Sequence, residues 1–341
     1  MGSWPFSPPL LPMEAKVRER LPEGDWAYEP KWDGFRSVAW STPIRLDSRN
    51  EKPLLRYFPE LAPSLEALPI GTVVDGEVVV VTENRLDFDA LQNRLHPAES
   101  RVNLLAEQTP ARLVAFDLLA LSGKDLREAP FAERRSALEG LIPGLSDRWD
   151  LTPSTTDREV ASRWFEEFEA AGCDGIVAKR LDGAYIEGKR EMIKVKHRRT
   201  VDCVVGGYRV HKDGTGIGSI LLGLYDGEEL HFIGHCSGFP DHDRKELLAQ
   251  FEQLKADDSF GAEGEVRRPG GESRWSAGKD LSWVPIEPGV VVEVSYDQLT
   301  GDRFRHATRF ERWRPDKAAE ACTLDQLERP AGPGFDSVVG G

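Results

Sequence analysis

Two stretches of this chain consist almost entirely of β-branched and aliphatic residues, and they constrain the fold more than any other feature. Residues 72–82 read TVVDGEVVVVT, and residues 111–121 read ARLVAFDLLAL. Apolar runs of this kind, rich in β-branched residues, favour strands buried in a sheet. Residues 175–180 (GIVAKR) and 192–196 (MIKVK) predict two further short strands. The first two hundred residues are therefore expected to be organised around β-sheets.

One segment among these strands has helical periodicity, at residues 157–171. Its apolar residues are spaced to share one face: Val160, Trp164, Phe165 and Phe168. Thr156 and Glu159 form a candidate capping box at its start, and Gly172 is expected to end it. Strands and helices in one chain, without regular βαβ alternation, indicate the α+β class.

The character of the chain changes after the polar, basic link 197–202 (HRRTVD). Asp226-Gly227 lies between two strand-like runs, which is a strong hairpin signal, and residues 289–297 (GVVVEVSYD) predict another strand. A smaller, strand-rich domain is therefore expected after the first. The predicted divisions are an N-terminal domain (1–200), a β-barrel domain (201–325) and a flexible, Gly- and Pro-rich tail (326–341).

Composition excludes several classes of protein. No apolar run approaches the ~20 residues that cross a bilayer, and no basic start followed by an apolar stretch marks a signal peptide. The four cysteines are far apart in sequence and form no C-x-x-C pair, so free thiols in the cytoplasm are expected rather than a zinc site. The 44 lysines and arginines against 58 carboxylates give a charge of −14, which by itself argues against nucleic acid as a partner.

The segment YEPKWDGFR (28–36) is the most informative for function. It places Lys31 between strand-like flanks, among charged and aromatic neighbours. A lysine acts as a covalent nucleophile only when it loses its proton, and burial beside other cations lowers its pKa. Taken alone, the segment fits a surface lysine in an Asp-Gly turn better than a nucleophile, so other motifs must support it.

An ordered set of such motifs runs through nearly the whole chain. They are Lys31-Trp32-Asp33-Gly34, Ser48-Arg49-Asn50, Asp75-Gly76-Glu77, Phe116-Asp117-Leu118-Leu119, Asp174-Gly175-Ile176-Val177-Ala178-Lys179, Ile193-Lys194-Val195-Lys196 and Arg314-Pro315-Asp316-Lys317. In this order they resemble the covalent nucleotidyltransferase superfamily of ATP-dependent DNA ligases, RNA ligases and capping enzymes. That resemblance implies a nucleotidyltransferase (ATP-grasp-like adenylation) domain of antiparallel sheets with helices, followed by an OB-fold β-barrel.

The resemblance also implies a role for each motif. Lys31 would attack the α-phosphate of ATP, expel pyrophosphate and become lysyl-AMP. Glu29 would help to read the adenine and Phe116 would stack on it, although a Phe in an apolar strand is ordinarily a core residue. Asp33 would orient the reacting groups and assist in deprotonating the 3′-hydroxyl of the nick.

Two carboxylates are candidate ligands of ribose or Mg²⁺. Glu77 follows an Asp-Gly pair and could simply belong to a turn. Asp174 stands where most relatives carry Glu, and the missing methylene shortens its reach, so that metal contact could pass through water.

Several cations are candidates for the phosphates. Lys194 and Lys196 are two apart in a predicted strand and share one face, where a phosphate would relieve their repulsion; a solvated lysine face is the alternative. The resemblance adds further nucleotide-binding candidates in the first domain: Arg36, Arg49, Lys179 and Arg190. In the second domain, Arg314 and Lys317 would orient the leaving pyrophosphate when the domains close about a hinge near Asp202.

Within the superfamily, the amino-acid sequences of the motifs most resemble those of bacterial ATP-dependent DNA ligases of the two-domain LigC branch. The expected function is sealing of nicked duplex DNA in repair, with end-joining proteins or a repair polymerase or primase as candidate partners, no membrane association, and a monomer. An RNA ligase, a capping-type guanylyltransferase and a non-catalytic OB-fold binding module are the alternatives. Residues 176–212 carry ten lysines and arginines against four carboxylates, so the acidic total does not exclude DNA locally.

Overall fold

The structure, a computed structural model, describes residues 4–261, 268–270, 281–327 and 331–340. The chain divides into two compact units, which we call the first and the second unit. The first comprises residues 1–197 together with 330–341, and the second comprises residues 198–329. The end of the chain thus belongs to the first unit, although it follows the second in sequence.

Strands and short helices alternate irregularly along the first unit. Its strands are β1 (Glu14–Val17), β2 (Trp26–Pro30), β3 (Phe35–Trp40), β4 (Arg45–Ser48), β5 (Val73–Thr82), β6 (Arg85–Leu86), β7 (Ala111–Leu121), β8 (Lys124–Asp125), β9 (Trp149–Leu151), β10 (Gly175–Arg180) and β11 (Arg190–Lys196). Its helices are α1 (Ala62–Glu66), α2 (Phe88–Asn93), α3 (Glu99–Gln108), α4 (Phe131–Leu141), α5 (Arg158–Glu167) and, after the second unit, α7 (Phe335–Val339). This is the α+β composition that the sequence predicts.

Two sheets form the frame of the first unit. One has the order β1-β11-β10-β2, and the other has the order β4-β3-β5-β7-β8 with β6 and β9 at its sides. The pairs are antiparallel except β1 with β11 and β7 with β9, which are parallel. The nucleophile candidate and most of its predicted partners lie on these two sheets.

The apolar run of β5 is interrupted only by Asp75-Gly76-Glu77 and is otherwise continuous, because both faces of its sheet are covered. Val74, Val78 and Val80 pack in one hydrophobic cluster with α1 and the start of β7. Val73 and Val79 point the other way, into two further clusters. A strand with one solvent-exposed face alternates apolar and polar residues. A strand that is covered on both faces does not show this alternation.

Helix α5 begins one residue later than predicted, and its cap is different. Asp157, not Thr156, is the N-cap residue, and its carboxylate accepts hydrogen bonds from the backbone N–H groups of Glu159 and Val160. Asp is at least as good an N-cap as Thr. The backbone leaves the extended conformation after Asp157, so Asp157 takes the N-cap position instead of Thr156.

The predicted flexible tail is wrong for residues 335–339. They form α7, and Phe335 and Val338 are fully buried in the first unit. At least one glycine of this segment allows close packing: a Cβ on Gly332 would lie 2.6 Å from the Cβ of Ala170.

The second unit is built on an antiparallel sheet. Its strands are β12 (Arg199–Val210), β13 (Ile217–Asp226), β14 (Glu229–Ser237), β15 (Val284–Pro285), β16 (Val291–Tyr296), β17 (Leu299–Thr300), β18 (Arg303–Phe304) and β19 (Arg309–Trp313), with helix α6 at Asp241–Glu252. The sheet order is β14-β13-β12-β16-β19, with β15 beside β12. The predicted hairpin is present, but its turn lies one residue later than expected: Asp226 ends β13 and pairs with Glu229, so that Gly227, at φ +59°, and Glu228 form the turn.

A closed barrel is not formed within the described ranges. The first and last strands of the sheet meet only at a single parallel bridge, between Cys236 and Thr308, so the predicted OB-type barrel is present there as a curled sheet without a closing ladder. Over the same ranges, no helix combines the length and hydrophobicity needed to cross a bilayer.

Candidate active site around Lys31

Lys31 lies immediately after β2, where two chain segments are tied together backbone to backbone. Its N–H donates to the carbonyl of Gly175 and its carbonyl accepts from the N–H of Asp174, both at 2.8 Å. Gly175 has φ +141°, and a Cβ there would lie 2.0 Å from the carbonyl oxygen of Val195. Only glycine fits this conformation and this approach, so the Asp-Gly pair of the motif fixes the carboxylate opposite the lysine.

Asp174 joins two lysines. Its Oδ2 lies 2.7 Å from Nζ of Lys31 and 3.0 Å from Nζ of Lys196, and its side chain is 2% exposed. The positive charges of the two lysines outweigh the effect of burial and lower the pKa of Asp174. A buried carboxylate flanked by two ammonium groups holds both where an anionic substrate can reach them.

The pKa of Lys31 differs in sign from the sequence-based expectation. Burial lowers it, but the negative charges of Asp174, Glu77 and Asp33 act in the opposite direction and leave it above its ordinary value. The prediction of neighbouring cations that lower the pKa is wrong, because carboxylates surround the amine. Lys31 is therefore held charged, and a base must take its proton before it attacks.

A second ion-pair network lies beside the lysine, across strands β3 and β5. The guanidinium of Arg36 donates to both carboxylate oxygens of Asp75, at 2.8 and 2.6 Å, and the Tyr185 hydroxyl donates to the same carboxylate. Glu77 faces Arg36 in the strand register. Gly34 allows this approach, since a Cβ there would lie 2.3 Å from the carbonyl oxygen of Val78.

Glu77 pairs less completely than Asp75. Burial raises its pKa to about 8, against the positive charges of Lys31 and Arg36. A carboxyl group with a raised pKa beside the nucleophile is typical of a functional site, where a ligand supplies the missing positive charge.

We expect Glu77→Gln to stabilise the protein at pH 8.5 and to leave its stability almost unchanged at pH 4.5. The folded protein keeps Glu77 protonated up to about pH 8. The stability that this bound proton contributes is complete below the pKa of Glu77 in the unfolded chain, and it is lost as the pH rises through 8. Glutamine stays neutral, and the gain at pH 8.5 should be of order 1–3 kcal/mol. Urea unfolding at both pH values measures it, with the exposed Glu66→Gln as control. An equal gain at both pH values would contradict a titrating Glu77.

The opposite side of the site is a buried ion pair that links two predicted nucleotide contacts. Nζ of Lys179 lies 2.7 Å from Oε2 of Glu29, and both side chains are 3% exposed. Lys179 also donates to the carbonyl of Phe116 at 2.6 Å. Arg135 of α4 lies 3.4 Å from the other oxygen of Glu29. Removing one partner of such a pair leaves a buried charge and costs about 3–5 kcal/mol.

The Phe116 ring is packed as a core residue and contacts two cations. It is 9% exposed, and its centroid lies 4.8 Å from both the guanidinium carbon of Arg36 and Nζ of Lys179. The Phe116 ring is thus buried, as is usual for a Phe in an apolar strand. Its role in stacking adenine stays a prediction.

The remaining cations of the first unit fall into two groups. Lys194 belongs to the site, because burial and the positive charges of Lys31, Lys196 and Arg49 lower its pKa. Arg49 and Arg190 instead share one carboxylate on the surface: Glu14 lies 2.6 Å from Arg49 and 3.1 Å from Arg190. Nothing in the sequence around Glu14 indicated this contact, which arises because β1 pairs with β11.

Arg314 and Lys317 belong to the second unit, where both bind the predicted hinge residue. Arg314 contacts both carboxylate oxygens of Asp202 at 2.9 Å, and Nζ of Lys317 lies 2.8 Å from Oδ2 of the same group. Gln326 donates to the carbonyl of Asp202 and accepts from its N–H. The basic motif is thus paired with carboxylates of its own unit.

Sequence reasoning missed the residues that hold the site from outside its motifs. Thr152 accepts a hydrogen bond from the Trp32 indole at 2.8 Å and, through its carbonyl, one from Arg135. Tyr185 lies between the motifs that end at Lys179 and begin at Ile193, and Phe335 follows the last motif, so neither residue belongs to one. No local pattern could have identified them, because each acts through a contact between distant segments.

Comparisons with known proteins agree on one family. The family model of the ATP dependent DNA ligase domain matches residues 11–196, and that of the ATP dependent DNA ligase C terminal region matches residues 213–317. DNA ligase C2 of Mycolicibacterium smegmatis is 51% identical, over 96% of each chain. The multifunctional non-homologous end joining protein LigD of Pseudomonas aeruginosa is 32% identical over 97% of this chain and 38% of LigD.

A solved structure supports the fold separately. A structure described as "DNA binding with a minimal scaffold: Structure-function analysis of Lig E DNA ligases" has a TM-score of 0.57 at 16% identity, covering 91% of this chain and all of that one. These matches confirm the resemblance that the ordered motifs indicated: the chain belongs to the family of ATP-dependent DNA ligases.

Proposed function

We propose that this protein seals nicks in duplex DNA through a lysyl-AMP intermediate on Lys31. The observation that carries the proposal is the contact of Lys31 with Asp174, whose carboxylate also holds Lys196. The contact supports the proposal because a lysine, a carboxylate that can accept its proton and a second lysine that can bind phosphate lie in one cluster.

In the first step, Nζ of Lys31 attacks the α-phosphorus of ATP. The P–N bond forms as the bond to the β-phosphate oxygen breaks, and pyrophosphate leaves. We assign Asp174, 2.7 Å from Nζ of Lys31, to accept the lysine proton, and Lys194 and Lys196 to stabilise the charge that develops on the phosphate oxygens.

In the second step, the 5′-phosphate at the nick attacks lysyl-AMP, the P–N bond breaks and Lys31 regains a proton. In the third step, the 3′-hydroxyl attacks the activated 5′-phosphate, AMP leaves and the phosphodiester bond forms. Arg49 and Arg190 are the exposed cations that we assign to the 5′-phosphate, in exchange for Glu14. Asp33 is assigned to the 3′-hydroxyl proton.

The donor set around Lys31 fits Mg²⁺ bound together with ATP. Glu77 and Asp174 offer the hard oxygen ligands that Mg²⁺ prefers, and the residues described here contain no group of three potential ligands that would make a separate protein cage. We assign the metal to these two carboxylates and the substrate phosphates. When bound, Mg²⁺ neutralises phosphate charge.

Arg314 and Lys317 are assigned to the pyrophosphate. Both are now paired with Asp202, so they must exchange that carboxylate for the substrate phosphates. We further propose a role in DNA repair, which the similarity to a LigD named for end joining supports, with end-joining proteins as partners.

Incubation with labelled ATP, GTP or NAD and Mg²⁺, followed by peptide mass analysis, tests the proposal. We expect AMP on Lys31 from ATP only, and sealing of nicked duplex DNA. Label from GTP alone would point to a capping-type enzyme. Efficient sealing of RNA ends but not DNA ends would identify an RNA ligase, and the lack of any adduct would exclude ligation by this chemistry.

A further inference from the structure

The C-terminal helix α7 packs against the residues that carry the active site, although nothing in the proposed chemistry uses it. Phe335 and Val338 share one hydrophobic cluster with Trp32, Cys173 and Phe116. Trp32 is the neighbour of Lys31, and Cys173 is the neighbour of Asp174. One apolar cluster therefore underlies both partners of the Lys31–Asp174 ion pair and the ring assigned to the adenine.

The contact between Phe335 and Trp32 is direct. Their ring centroids lie 5.4 Å apart with an interplanar angle of 62°, an edge-to-face arrangement that aromatic pairs favour. Trp32 is 4% exposed and Phe335 is fully buried. The Trp32 indole is fixed at its other end by Thr152, so its position depends on both residues.

Polar contacts set the position of α7. The backbone N–H groups of Phe335 and Asp336 donate to the backbone carbonyl and the side-chain oxygen of Asn84, at 2.7 and 2.8 Å. Arg112 pairs with Asp336 at 2.9 Å and lies 4.9 Å from the Phe335 ring centroid. These contacts hold α7 in a defined position within the first unit.

We propose that Phe335 is a positioning residue for lysyl-AMP formation: α7 completes the support beneath Trp32 and Cys173 and so keeps Lys31 in contact with Asp174. The inference rests on the proposed function of Lys31. Removing the ring leaves a cavity beside Trp32, into which the neighbouring segments relax. Because near-attack geometry is sensitive to displacements of about 1 Å, the loss appears in the rate of the chemical step.

Single-turnover lysyl-AMP formation in full-length Phe335→Ala tests this. We expect the rate at saturating ATP to fall about 10-fold or more, while the KM for ATP changes less than about 3-fold. Phe335→Leu, which refills most of the volume, should restore most of the rate.

Leu65→Ala is the matched control, because Leu65 is fully buried in a different cluster of the same unit. It should lower thermal stability to a similar extent and keep the wild-type rate and the wild-type KM for ATP. If Phe335→Ala does not fold, Asp336→Ala, which removes the Arg112 contact but keeps the ring, should show the same change in smaller degree.

A folded Phe335→Ala protein with the wild-type rate would overturn the inference. So would an equal loss of rate in Leu65→Ala. Failure of the wild-type protein to form lysyl-AMP would instead refute the proposed function, so the two failures are distinguishable.

Discussion

Lys31→Arg should lose lysyl-AMP formation by about 10⁴-fold or more, the largest effect expected of any single substitution here. Arginine keeps the positive charge that pairs with Asp174, so the fold and the electrostatics of the site are preserved. Its guanidinium does not deprotonate in proteins, and it therefore cannot attack phosphorus. Labelling with ATP radioactive at the α-phosphate measures the loss.

Sealing of a nick that already carries a 5′-adenylate is the matched control for Lys31→Arg. That substrate enters at the third step and needs no lysine nucleophile, so the variant should still join it. Covalent label retained in Lys31→Arg would show that the nucleophile is another residue.

Asp174→Asn should slow lysyl-AMP formation by about 10²–10³-fold at pH 8, in the range of a lost general base. The loss should depend on pH. Asp174 raises the pKa of Lys31, so the variant has a lower lysine pKa and a larger fraction of neutral amine at low pH. The ratio of wild-type to variant rate should therefore grow as the pH rises from 6 to 9.

Asp174→Glu provides the control, because it keeps the charge. It should retain activity within about 10-fold. A pH-independent loss in Asp174→Asn would mean that Asp174 does not influence the ionisation of Lys31.

The order of the motifs was readable from the sequence because the chemistry depends on short, rigid pieces of backbone. Lys31 and Asp174 are each followed closely by a glycine, Gly34 and Gly175, that allows close approach of another strand. The strands at 111–121 and 175–180 were predicted at their observed bounds, because residues buried on both faces or paired on both sides leave a dense apolar signal.

The electrostatics of the site were not readable in the same way. The ten cations of residues 176–212 suggested an excess of positive charge, yet Lys179 and Lys196 are matched by Glu29 and Asp174. Arg190 is matched by Glu14, which lies 176 residues earlier. Counting charges along a segment cannot predict such pairs, because their partners are brought in by strand pairing.

The sequence by itself determined the family, the two-part α+β organisation and the identity of the nucleophile candidate. These depend on short local patterns that can be recognised along the chain without knowing which segments are in contact. Only the tertiary structure decided the charge state of Lys31 and the place of the last residues. Three carboxylates from separate segments raise the pKa of Lys31, and Phe335 is buried beside Trp32, three hundred residues earlier in the chain. Both are effects of distance in space, and Coulomb interactions and apolar contacts act over ångströms whatever the separation along the chain.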